Sequence, residues 1–315
     1  MSAPLAFLKS FAGKLREAGI RFAITSGMAC VHYGLQQTTK DSDWIIAPDD
    51  LAKLRELLVQ LEQSDPPWRV SYRQIFGAPL DAEFMAHGWT SHLLLTDPDG
   101  VEHKVDLFGK APRVRPEDLA VDADGWATRH VVAQMKRTDR PKDWPIVHGL
   151  GRQLGELGRP EALLHLQEYD ALLSAWQEAE AVLRERLALR RPLLAIFRSA
   201  PLPPQDRVDR LLLIERLVWE RVNDQRYGLY TSAWREFYRR WRKEEGWAWP
   251  VNEPFPSQHH RLLRAAHMHG LPANPLAALS RQELVHRAVT KVTSLAAATE
   301  SEIAQVLPPL EEMLP

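Results

Sequence analysis

Asp41 and Asp43 stand two residues apart at the head of the apolar run Asp41-Ser-Asp-Trp-Ile-Ile46. In an extended strand, residues two apart project from the same face, so these two carboxylates lie side by side. Like charges so placed repel and cost stability unless a cation comes between them. Mg²⁺ favours oxygen ligands and takes one or two carboxylates together with substrate phosphates. Upstream, Phe22-Ala-Ile-Thr25 reads as a strand that runs into Ser26-Gly27 and a helix opening near Met28. The first turn of a helix presents unpaired N–H groups and the positive end of the helix dipole, a setting that suits phosphate. Gly27 lets an anion approach the backbone closely. A third carboxylate, Asp106, interrupts an apolar run between Val105 and Leu107. Three carboxylates could hold two metal ions about 3.5–4 Å apart, one activating an attacking oxygen and one steadying a leaving pyrophosphate.

A sheet must position these groups. The run from Asp43 to Ala47 is stopped by Pro48, after which Asp49 or Asp50 can cap a helix through Leu51, Leu54, Leu57, Leu58 and Leu61. His92–Thr96 and Val101–Leu107 flank Asp97-Pro-Asp-Gly100, whose turn chemistry predicts a β-hairpin. On its second strand Glu102, Lys104 and Asp106 share one face, and Val101, His103, Val105 and Leu107 the other. Strands interleaved with helices point to an α/β or α+β domain. From Arg159 onward the pattern is helical. Leu163, Leu166, Leu173, Trp176, Leu183 and Leu187 predict one long amphipathic helix, and Pro192 with the Pro201–Pro204 cluster separates it from the next. Ser280 with Glu283, and Thr299 with Glu302, are capping-box patterns that open two more helices. Gly149, Gly151, Gly155 and Gly158 place a domain boundary near residues 150–158, giving domains of 1–150 and 151–315.

Composition narrows the function classes. The chain has 315 residues, with 40 Lys and Arg against 41 Asp and Glu for a net charge of −1. That balance excludes a globally basic nucleic-acid coat and an acidic tail protein. The single cysteine, Cys30, excludes an intramolecular disulfide and a multi-cysteine zinc site. No apolar run reaches the ~20 residues needed to span a bilayer. The N-terminus carries no basic stretch ahead of its apolar residues, so a cytoplasmic protein with no membrane partner is expected.

Ser26-Gly27, followed by Ala29, Gly34 and Thr39, then Asp41-x-Asp43, then Asp106, resembles the DNA-polymerase-β-like nucleotidyltransferase superfamily. The likeness is greatest to the minimal branch that includes abortive-infection toxins of the AbiE type, and it covers roughly residues 5–150. It implies an α+β chain: an N-terminal nucleotidyltransferase-like mixed sheet with flanking helices, then an all-helical C-terminal domain. It implies that Asp41, Asp43 and Asp106 bind two Mg²⁺ ions, with Asp106 on the nucleophile side, where it could also draw the proton. Ser26 and Gly27 would then hold a nucleoside triphosphate, the substrate. Lys136, Arg140 and Lys142 resemble the Lys…Arg-x-Lys-Asp stretch that follows the core in relatives, and would contact phosphates or carboxylates. The implied reaction moves a nucleoside monophosphate to an acceptor hydroxyl of an RNA 3′ end, a protein or a small molecule. A toxin of this branch would also imply a cognate antitoxin. Two positions depart from the family pattern: Ser26 stands where the first glycine is usual, and Ser42 where an apolar residue is usual.

Two other readings stand beside this one. Ser26 and Ser42 suit a catalytically silent nucleotide-binding module that acts through protein partners. The stretch Arg207–Lys243 is rich in arginine and aromatics, which suits an RNA-binding protein. Its Tyr227, Tyr230, Trp234, Phe237, Tyr238 and Trp241 recur at three- and four-residue spacing, which predicts a buried helical stripe. His259, His260, His267 and His269 lack partners that would complete a metal site and read as helix-surface residues.

Overall fold

A computed structural model describes residues 3–245, 249–250 and 252–315. The elements run α1 (Ala3–Glu17), β1 (Phe22–Thr25), α2 (Ser26–His32), β2 (Asp41–Ile46), α3 (Leu51–Glu62), β3 (Arg69–Tyr72), α4 (Ala82–Met85), β4 (Thr90–Thr96) and β5 (Glu102–Phe108). Helices follow: α5 (Arg129–Met135), α6 (Trp144–Glu156), α7 (Tyr169–Glu178), α8 (Ala181–Arg190), α9 (Gln205–Glu245) and α10 (Phe255–Met268). Last come α11 (Arg281–Ala296), α12 (Glu300–Val306) and α13 (Leu310–Met313). The chain is thus α+β, a five-stranded mixed sheet with flanking helices and a long helical C-terminal region. Among the described residues no helix is long and apolar enough to cross a membrane.

The chain forms two compact units, each discontinuous in sequence. The first comprises Met1–Ala111, Val121–Ala127 and Leu229–Pro275; the second comprises Pro112–Ala120, Thr128–Gly228 and Leu276–Pro315. The division falls inside α9, and the expected boundary near 150 lies within α6. Gly151 and Gly155 belong to that helix rather than to a linker. A Cβ on Gly151 would meet the backbone of His165 and Leu166 at 3.0 Å, so this glycine lets the chain at 165–166 pack directly on the helix.

In the first unit the sheet order is β1-β2-β5-β4-β3. β2 and β5 are parallel and the other pairs antiparallel. Alternation sends Trp44, Val105, Leu107, Leu93 and Leu95 to one face, where all are buried. Helix α1 covers that face: Phe11 meets Trp44 edge-on at 5.1 Å between ring centroids, and Phe7 stacks on His103 at 4.0 Å. Burying each such side chain contributes roughly 1.5–3 kcal/mol. The expected leucine stripe of α3 is buried along its whole length. Ser42, unusual at a core-facing position, donates to the Lys104 carbonyl and accepts from Trp44 Nε1, both at 3.0 Å. At the far edge, Gln258 of α10 lies along β3. Its Oε1 accepts from Tyr72 N and its Nε2 donates to the Val70 carbonyl, each at 3.0 Å.

In the second unit the expected single helix over 163–187 is instead a 3-10 turn, Pro160–Leu164, followed by α7 and α8. The buried Arg191 explains the break, because its Nη1 takes the carbonyls of Leu163 and Leu166 that a continuing helix would use. Arg191 also grips Glu215 through Nε and Nη2, at 2.9 and 2.7 Å. Both expected caps are present: Ser280 Oγ accepts from Glu283 N, and Thr299 with Glu302 forms a complete capping box.

Candidate active site

Asp43 of β2 and Asp106 of β5 are direct register partners across parallel strands. Asp41, two residues back on β2, pairs with Lys104. Partners in register share a face, so all three carboxylates lie on the sheet face opposite α1. Like charges directly opposite each other on a sheet are destabilising, so this face needs positive charge.

The structure supplies that charge from Arg73 and sets His92 against the same acid. Arg73, which follows β3, places Nη1 3.0 Å from Asp106 Oδ1 and 3.7 Å from Asp41 Oδ1. His92, the β4 register partner of Asp106, sets Nδ1 2.6 Å from the same Asp106 oxygen. The ring packs against the chain at Gly77, where a Cβ would meet the Thr90 carbonyl at 2.7 Å and His92 Cδ2 at 2.8 Å. Neither Arg73 nor His92 was among the residues expected from sequence. Counting back from the Asp97–Gly100 turn pairs Thr96 with Glu102 and hence His92 with Asp106, so that partner could have been found. Arg73 could not, because β3 carries no strand pattern strong enough to place it.

Asp41 Oδ1 is closed off from solvent and has no hydrogen-bond partner among the described residues. Carboxylate oxygens of this kind are the donors that Mg²⁺ prefers. Among the described residues, no three His, Cys, Asp or Glu side chains are gathered closely enough to hold a metal ion. The Arg73 guanidinium spans Asp41 and Asp106 where such an ion would neutralise them.

Ser26 and Gly27, expected to hold phosphate, follow the neighbouring strand, with Thr25 of β1 paired to Asp43. The helix α2 begins at Ser26, two residues earlier than expected, so strand passes into helix without a loop. Ser26 makes the corner with φ of +51°, a left-handed conformation that favours glycine. The space beside Gly27 is taken by Thr39, whose Oγ1 lies 2.5 Å and Cβ 3.0 Å from where a Cβ would be. Gly27 therefore serves close packing of the 39–41 segment against the corner. Cys30 is buried, His32 stacks on Trp126 at 4.3 Å, and Tyr33 donates to the Ala127 carbonyl at 2.7 Å, all packing roles.

Lys136, Arg140 and Lys142 belong to the second unit. Lys136 is buried with Asp143 at 3.4 Å, and Arg140 Nη2 reaches the same carboxylate at 2.6 Å. Burial alone would raise the Asp143 carboxyl, but the Lys136 charge and the Thr138 and Arg140 hydrogen bonds hold it below the ordinary value. Lys142 is exposed. Of the stripe expected on α9, Tyr230, Phe237 and Trp241 are buried, Trp234 and Tyr238 are half-buried and Tyr227 is exposed, with Tyr230 donating to the His87 carbonyl at 2.5 Å. His259 is not a surface residue: its Nδ1 lies 2.8 Å from the Tyr72 hydroxyl, and burial, with the nearby Arg55 charge, lowers it to about 4. No family model matches the chain, and no curated protein matches it in sequence.

Proposed function

We propose that the first unit is a Mg²⁺-dependent nucleotidyltransferase, in which an acceptor hydroxyl attacks the α-phosphate of a nucleoside triphosphate and pyrophosphate leaves. The observation that carries this reading is the in-register opposition of Asp43 and Asp106, with Asp41 on the same face. Two acids set directly opposite each other cost the sheet stability, and a bound cation would turn that cost to use. The resemblance of Ser26-Gly27, Asp41-x-Asp43 and Asp106 to the polymerase-β-like pattern supplies the reaction class.

With Arg73 withdrawn and the three carboxylates drawn closer together than they stand, Asp41, Asp43 and Asp106 would hold Mg²⁺, which when bound supplies charge neutralisation of the triphosphate and the departing pyrophosphate. His92 orients the Asp106 carboxylate, and Arg73, released from it, is placed to meet a phosphate oxygen. The strained corner at Ser26 presents its backbone beside Asp43 for the triphosphate tail. Catalysis of this kind is mainly positioning and electrostatic stabilisation.

The test is incubation with Mg²⁺ and each labelled triphosphate, following pyrophosphate release. Asp43→Asn, folded by circular dichroism, is expected to fall by on the order of 10³-fold. Full activity in that variant would overturn the reading. A catalytically silent nucleotide-binding module is the second reading, favoured by Arg73 already neutralising Asp41 and Asp106. Triphosphate bound without pyrophosphate release would select it.

A further inference from the structure

Arg235, Arg239 and Lys243 recur every fourth residue on α9, and all three are exposed. Side chains four apart on a helix stand one above the other, about 6 Å apart along the axis. Arg240, on another face, pairs with Glu236, whereas no hydrogen bond or ion pair engages the three-cation row among the described residues. Like charges at this spacing weaken a helix. An unneutralised row is therefore suited to an anionic partner.

The flank of the row identifies that partner's chemistry. Trp234 and Tyr238 stack with centroids 4.8 Å apart and planes within 6°. With Arg242, they and the three cations line one open groove. Both rings are only half-buried, while the apolar anchors Phe237 and Trp241 face inward. A membrane-binding helix would turn such anchors outward beside its cations. An acidic peptide would use the charges but not the paired rings. A single-stranded polynucleotide uses both, its phosphates on the cations and a base on the rings.

We propose that this groove binds a single-stranded polynucleotide, with its phosphates on Arg235, Arg239 and Lys243 and a base against Trp234 and Tyr238. The groove adjoins the carboxylate face. Gln74 Nε2 donates to the Tyr238 hydroxyl at 2.8 Å, and the preceding residue, Arg73, bonds Asp106. A bound strand can thus extend toward Asp106, and its use as acceptor, unlike its binding, rests on the nucleotidyltransferase reading.

Fluorescence anisotropy with a fluorescein-labelled oligouridine, in the absence of Mg²⁺ and triphosphate, tests the binding. The triple variant Arg235→Gln, Arg239→Gln, Lys243→Gln should lose at least about tenfold in affinity at low salt. Its slope of log affinity against log salt should be shallower by about 2, for three phosphates at roughly 0.7 each. Arg240→Gln should bind like wild type. Unchanged binding in the triple variant, an equal loss in Arg240→Gln, equal affinity for duplex, or binding only to phosphatidylserine vesicles would each overturn the proposal. A strand bound by a protein that releases no pyrophosphate would sink the enzyme reading alone. Pyrophosphate release without strand binding would sink this inference alone.

Discussion

His92 and Asp106 face each other across β4 and β5, with a ring nitrogen 2.6 Å from a carboxylate oxygen that also receives Arg73 at 3.0 Å. One oxygen thus answers to two bases, and the acid beside it, Asp43, stands in register on the other side. The electrostatic balance of this face is held by a few named groups, and each can be removed singly.

Arg73→Ala takes away the cation that spans Asp106 and Asp41. Without divalent ions the fold should lose about 1.5–3 kcal/mol, the range for hydrogen bonds to charged groups. Added Mg²⁺ should restore more stability to this variant than it gives wild type, since a ligand stabilises the state it binds. Urea unfolding with and without Mg²⁺ measures both effects. Equal stability and indifference to Mg²⁺ would show that repulsion does not govern the face.

Ser26→Gly should raise stability by about 1 kcal/mol, because a β-carbon in the left-handed region costs roughly that much. Ser26→Val should lower it, since a branched side chain tolerates that φ less well than serine. The converse change next door, Gly27→Ala, drives a methyl into Thr39 and should cost about 1–3 kcal/mol. Thermal melts of the three variants, each against wild type, decide the matter.

His259 gives the first unit a pH dependence. Its folded value lies near 4, lowered chiefly by burial and then by Arg55, against about 6.5 in an unfolded chain. The neutral ring is therefore the folded form, accepting from a Tyr72 hydroxyl that burial keeps protonated. The unfolded chain binds the extra proton, so stability is full above about pH 6.5 and falls as pH drops toward 4. The loss should approach about 3 kcal/mol at most. His259→Leu should flatten this limb in urea unfolding between about pH 7 and pH 5, and an unchanged slope would assign it elsewhere.

Glu215→Ala should destabilise the second unit by about 3–5 kcal/mol, because it leaves the Arg191 charge buried without its partner. The double change Glu215→Ala with Arg191→Met should recover much of that loss, since both charges are then gone. Calorimetry on the three proteins reads the coupling. A double variant no better than the single one would place the cost in the carbonyls of Leu163 and Leu166.

The parts of the fold legible in the sequence were those with a local cause. The Asp97–Gly100 turn specified its hairpin, the leucines of α3 its buried stripe, and Ser280 and Thr299 their helix starts. The alternation around Asp106 gave its face correctly, and with it the shared surface with Asp41 and Asp43. What escaped depends on distant partners. Arg191 breaks a periodic leucine pattern ahead of α7 through carbonyls some 25 residues away in sequence. The glycines near 150 resemble a linker until residues 165–166 are seen resting on Gly151. Arg73 and Gln258 act through contacts that no nearby residue announces.

Gln258 has a consequence for how this protein behaves in a crowded solution. An outer strand with bare amides and carbonyls is a template on which another chain can add itself. Here one carboxamide supplies both a donor and an acceptor to β3, and the Trp249 indole takes the Tyr72 carbonyl at 2.9 Å. The border of the sheet is sealed by side chains in place of a sixth strand, so recruitment of a second molecule along it is blocked.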